Sequence, residues 1–97
     1  MEALVFFYDM KDVEPKNRTK ILETLFGKQQ QSNFGKYSYQ VKAIIPDGSY
    51  IKVVRASFIV KKRYSQSIIK LFEENTVSYK IFTILVQKTD FEKREIF

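Results

Sequence analysis

Cysteine and histidine are both absent, so the side chains able to do chemistry in this sequence are cations, carboxylates and hydroxyls. Thiol nucleophiles, disulfides, Cys/His zinc sites and histidine acid–base catalysis are therefore excluded. The cations are distributed over many positions instead of forming a long basic tail. Lys42 and Arg55 stand either side of a Pro46-Asp47-Gly48 turn signal, and Lys61, Lys62 and Arg63 are consecutive. Groups of this kind attract phosphates, anionic membranes or an acidic protein, and the formal charge of +6 points the same way. A charged surface also serves solubility alone.

Among the carboxylates, Asp9 follows the first apolar run and Asp12 stands three residues further on. Metal-dependent phosphodiester hydrolysis needs a cluster of oxygen ligands and a positioned water. Two acids do not make that cluster, and a turn at Asp9 and a helix cap at Asp12 are the simpler readings. No glycine-rich phosphate loop, dinucleotide fingerprint, serine-nucleophile motif or complete helix-turn-helix signature is present, so no cofactor is expected and binding is favoured over catalysis.

These groups need a scaffold. Leu4-Val5-Phe6-Phe7-Tyr8 is a short apolar run ending at Asp9 and reads as a buried strand. Over residues 16–26, Ile21, Leu22, Leu25 and Phe26 form an apolar helical stripe, with Pro15 near its start and Gly27 as its C-cap. Residues 28–35, with three consecutive glutamines, read as a polar connection.

Alternation over residues 37–45 predicts a strand, and Asp47-Gly48 predicts a tight turn into a second strand over residues 49–60. The implied register sets Ile45 opposite Tyr50, Val41 opposite Val54, Tyr39 opposite Ala56 and Tyr37 opposite Phe58. Phe58 then faces the core, while Gln40, Lys42, Val53, Arg55 and Ser57 share the other face. Ser65 opens a second helix with Ile68, Ile69 and Phe72 inward, Asn75 ends it, and residues 77–86 form the last strand. Residues 88–97, ending in Ile96 and Phe97, read as an extension or docking tail.

The expected fold is α+β: a ferredoxin-like βαββαβ sandwich with a four-stranded antiparallel sheet and two helices on one face. An α+β meander or small curved sheet would use the same elements. Ninety-seven residues suit one domain, 1–97. No apolar run approaches the ~20 residues of a transmembrane helix. The opening lacks a basic leader and cleavage region, so an intracellular, cytoplasmic protein is expected.

In this fold the first and third strands are central, which brings Phe6 and Tyr8 forward as aromatic or interface contacts near Val53, Arg55 and Ser57 on the uncovered face. Over most of the chain the element order resembles the RNA-recognition-motif family. Leu4-Val5-Phe6-Phe7-Tyr8-Asp9 is similar to its first central-strand motif, and Arg55-Ala56-Ser57-Phe58-Ile59-Val60 to its third-strand motif. The resemblance implies aromatic rings on an RNA-facing sheet surface, and an inward Phe58 departs from it.

The opening segment also resembles the small nuclease-like subunits of prokaryotic CRISPR adaptation systems, through Asp9 after the first strand and Lys16 and Arg18 in a basic first helix. That resemblance implies a metal-dependent nuclease with Asp9 as the metal ligand, duplicated across a dimer and assisted by Asp12. The long hairpin over residues 37–60 departs from that family's more compact middle. Neither resemblance assigns the chain to a family.

The function expected from these readings is RNA or DNA binding by the open sheet face, as a monomer or homodimer. Lys42 and Arg55 are the first contacts, with Lys61, Lys62 and Arg63 as a flanking patch. The alternative is a protein-interaction module or viral accessory protein whose same face takes an acidic or other protein partner. A metal-dependent nuclease is the third reading.

Overall fold

A computed structural model describes residues 1–27, 29–31, 38–40, 43–46 and 48–92, with backbone alone for 29–31 and 38–40. Strand β1 (Glu2–Asp9) leads into helix α1 (Pro15–Phe26), followed by two short strands, β2 (Gln29–Gln31) and β3 (Ser38–Gln40). Then come β4 (Tyr50–Lys52), β5 (Ser57–Lys61), α2 (Ser65–Glu74) and β6 (Ser78–Leu85). Strands β4, β5, β1 and β6, in that spatial order, form one antiparallel sheet, and β2 pairs with β3 in a separate ribbon. The main sheet and its two helices make the ferredoxin-like βαββαβ arrangement, with β2 and β3 inserted between α1 and the sheet's second strand.

The period-2 alternation of β1 divides its side chains between two faces. Leu4, Phe6 and Tyr8 face the helices, where Ile21 and Leu25 of α1 and Ile68 and Phe72 of α2 complete a core with Phe58 and Val60 of β5. Phe6 lies at its centre. Its ring stacks on Phe58 at 5.2 Å and 7° and meets Phe72 edge-on at 6.0 Å. Offset-stacked and edge-to-face pairs each add about 0.5–1.5 kcal/mol beyond burial.

The helix boundaries follow from backbone chemistry. Pro15 opens α1, where its missing N–H costs no hydrogen bond, and Gly27 closes it at φ +84°, its N–H donating to the Glu23 carbonyl at 2.7 Å. The expected Asp12 cap does not form. Glu14 holds the N-cap position, without a side-chain capping bond, and the turn before it is closed by the Val13 N–H donating to the Met10 carbonyl. Asn75 ends α2 as expected, its side-chain amide donating to the Leu71 carbonyl at 2.8 Å.

Among the described residues the expected 37–60 hairpin is not formed. Tyr39 pairs with Gln30 rather than Ala56, so residues 29–31 are strand where a polar connection was expected. Ile44 and Ile45 donate backbone N–H groups to the Thr24 and Leu25 carbonyls, both at 2.9 Å. The C-terminal end of α1 leaves its last carbonyls without intrahelical partners, and this segment supplies them. Ile45 is thereby buried under α1 rather than set opposite Tyr50. The Pro46–Ser49 turn persists, with Ser49 N–H donating to the Pro46 carbonyl and Gly48 at φ +84°, but it joins this segment to β4. Asp47, Tyr37 and Val41 lie outside the described residues.

The expected second strand itself folds in two. Tyr50, Ile51 and Lys52 pair with Val60, Ile59 and Phe58 across a turn at residues 53–56. Ser57 closes that turn with its hydroxyl, which accepts from the Val54 N–H and donates to the Val54 carbonyl, both at 3.2 Å. Ala56 adopts φ +63°, a conformation usually left to glycine.

Candidate functional site

The face of the sheet away from the helices can be laid out from the register. One row runs Ser57–Phe7–Lys80 across β5, β1 and β6, the next Ile59–Val5–Phe82, and the third Lys61–Ala3–Ile84. Ile51 of β4 extends the second row. The 3-10 turn Lys88–Glu92 folds back over part of this face and buries Phe91 against Ala3, Val5, Ile51 and Ile59. The Lys61 ammonium lies 5.5 Å from the centre of the Phe91 ring.

What stays open is aromatic and cationic. Phe7 is 45% exposed and Phe82 53%, and their rings meet edge-to-face at 6.0 Å and 77°. Lys80, the cross-strand partner of Phe7, is exposed beside them. Arg55 is exposed in the turn between β4 and β5, and that turn is tied to β1 by the Tyr8 N–H, which donates to the Ala56 carbonyl at 3.0 Å. Among the described residues neither Lys80 nor Arg55 has a carboxylate partner. Two exposed π-surfaces and two unpaired cations can bind flat, negatively charged ligands by stacking and phosphate attraction.

The expected contacts fall in different places. Phe6 is fully buried, and Tyr8 is half-buried against Phe58 and Phe72, so neither ring belongs to the open face. The reason is parity: positions 4, 6 and 8 point to the helices and 3, 5 and 7 away. Lys42 lies outside the described residues, as do Ile96 and Phe97. Lys61 ends β5 and Lys62 and Arg63 follow it, so Lys61 is about 13 Å along the strand, at ~3.3 Å per residue, from Ser57 beside the Arg55 turn. Lys61 is held at Phe91, Lys62 lies 4.0 Å from the Glu2 carboxylate, and the Arg63 guanidinium lies over Tyr64 at 5.0 Å. The cations thus form two separate groups.

Asp9 is engaged locally, its carboxylate accepting the Lys11 N–H at 2.9 Å. Among the described residues no three acids cluster as a metal site would require. No described helix is long and apolar enough to cross a membrane.

Phe7, Lys80 and Phe82 were not singled out by sequence. Their signal lay in the 78–85 strand, where Lys80, Phe82 and Ile84 alternate with Tyr79, Ile81 and Thr83. Apolar residues on both parities mark a strand with two apolar faces. Searches against family models, curated proteins and solved structures each find no match to this chain.

Proposed function

We propose that this protein binds RNA or DNA through the open sheet face, with Phe7 and Phe82 as the stacking platform and Lys80 and Arg55 as phosphate contacts. The observation that carries this reading is the exposed Phe7–Phe82 pair beside unpaired Lys80. An apolar pair alone would suit a protein partner equally well. The adjoining cations and the +6 charge of the chain favour a polyanion.

Single strands fit this face better than duplexes, because stacking on Phe7 and Phe82 needs bases free of their own partners. The test is an equilibrium titration of single- and double-stranded RNA and DNA across a range of salt concentrations. Phe7→Ala and Phe82→Ala should each weaken single-strand binding about 10–100-fold with little change in salt dependence. Lys80→Ala combined with Arg55→Ala should flatten the log–log salt slope by about 1.4, from ~0.7 per lost phosphate contact on a single strand. Absence of binding by folded wild-type protein overturns the reading. If size measurement then gives a dimer in which hydrogen exchange is suppressed around Phe7 and Phe82, the face is a protein interface instead.

A further inference from the structure

The helix side of the 53–56 turn holds a second feature. A partly enclosed cavity of about 190 Å³ lies between α1 and this turn, with Tyr8, Leu22, Phe26, Lys52, Arg55 and Ala56 among its lining residues. Pockets that hold whole small-molecule ligands are about 300–1,000 Å³. This cavity is therefore sized for one group of a larger ligand or for a very small one.

Its chemistry is one-sided. Among the described residues, Lys52 and Arg55 are the cations that line it, no acidic residue does, and neither cation has a carboxylate partner. The Lys52 ammonium is poised 5.4 Å from the centre of the Phe26 ring, which keeps its stem against the wall. The Tyr8 hydroxyl has no hydrogen-bond partner among the described residues, although the side chain is half-buried. Burial pushes its pKa upward, so it is a neutral O–H donor at physiological pH. The Ser57 hydroxyl, by contrast, is already spent on Val54.

We infer that this cavity binds a phosphate monoester, with the Lys52 ammonium, the Arg55 guanidinium and the Tyr8 hydroxyl donating to its three terminal oxygens, and Leu22, Phe26 and Ala56 against the esterified group. A monoester carries about −1.5 to −2 charge at pH 7 and three strong acceptors, matching two cations and one neutral donor. A carboxylate would leave one donor and part of the positive charge unmatched. The inference shares Arg55 with the open-face reading but not its stacking platform: the cavity lies on the helix side of the sheet, and the probe below has no base to stack.

The monoester can come from a free metabolite-sized ester or from the phosphorylated end of a nucleic-acid strand. The primary experiment is an amide-resolved NMR titration with ribose 5-phosphate, with ribose as the control. Saturable shifts at Val54, Arg55 and Ala56 and along the C-terminal half of α1 are expected with the phosphate ester and absent with ribose. Lys52→Gln should weaken binding about 10-fold and Tyr8→Phe several-fold, each with the amide spectrum of a folded protein.

A second arm compares one single strand bearing a 5′-phosphate with the same strand bearing a 5′-hydroxyl. A preference for the phosphorylated end that disappears in Lys52→Gln assigns the source to strand termini. Equal affinities alongside ribose 5-phosphate binding assign it to a free ester. No saturable shift with ribose 5-phosphate, shifts confined to other residues, or shifts unchanged by Lys52→Gln and Tyr8→Phe would overturn the inference, whatever the strand titrations give.

Discussion

Phe6 and Phe7 are the same residue type at adjacent positions, and replacing each by alanine separates the architecture from the proposed surface. Phe6 is fully buried between Phe58 and Phe72, whereas Phe7 keeps 45% of its surface in solvent. Removing a buried Phe ring costs about 3–5 kcal/mol through lost transfer energy and the cavity left behind. Total stability for a chain of this length is about 5–15 kcal/mol, so Phe6→Ala removes a large share of it. Phe7 has roughly half its ring covered. Complete burial of such a side chain contributes about 1.5–3 kcal/mol, so Phe7→Ala should cost about 1 kcal/mol, with no enclosed cavity to add.

Urea denaturation followed by far-ultraviolet circular dichroism reads both. At a slope of about 1.5 kcal/mol per M, Phe6→Ala lowers the midpoint by about 2–3 M and Phe7→Ala by under ~1 M. Should Phe6→Ala be too unstable to measure, Phe6→Leu gives the smaller loss of the same kind. Equal midpoint shifts for Phe6→Ala and Phe7→Ala would refute the assignment of the two faces, and with it the basis for an aromatic recognition surface.

Phe91→Ala should cost about 3 kcal/mol and enlarge the apolar surface over Ala3, Ile51 and Ile59, read as increased fluorescence of an apolar dye; unchanged dye binding would mean that the 88–92 turn does not cover the sheet. Gly48→Ala places a side chain at φ +84° in open space, so it should cost about 1 kcal/mol from backbone strain alone. Ala56→Gly should be neutral or stabilising by up to ~1 kcal/mol, since it relieves φ +63° at the expense of a more flexible unfolded chain. Burial raises the Tyr8 pKa, so the native state retains a proton that the unfolded chain releases near pH ~10. That contribution is full below about pH 10 and is lost as pH rises through the higher native value; Tyr8→Phe should reduce the decline in urea midpoint over this range.

The βαββαβ outline of the main sheet and both helix faces were legible in the sequence, the faces because Ile21 and Leu25, and Ile68 and Phe72, recur at helical spacing. The partners of the middle strands were not. Asp47-Gly48 specifies a local reversal, but nothing local says that Ile44 and Ile45 will bond the last carbonyls of α1 instead of a neighbouring strand. The second reversal was hidden for a different reason: no Gly or Pro occupies residues 53–56, where Ala56 takes the positive φ and the Ser57 hydroxyl closes the turn. Within the candidate site, Arg55 was legible from its charge. The parity of β1 was not, since Leu4 to Tyr8 is apolar at every position and offers no alternation to orient.

The position of β1 between β5 and β6 has a kinetic consequence. Its residues pair with positions 57–61 and 78–85, so every ladder partner lies at least 50 positions later in the chain. During synthesis, β1 leaves the ribosome well before either flanking strand, and its apolar residues must wait for both. Such distant pairings raise contact order and place folding toward the slower, millisecond-to-second regime. During that wait the 4–8 segment is an unpaired apolar strand of the kind that is prone to aggregation.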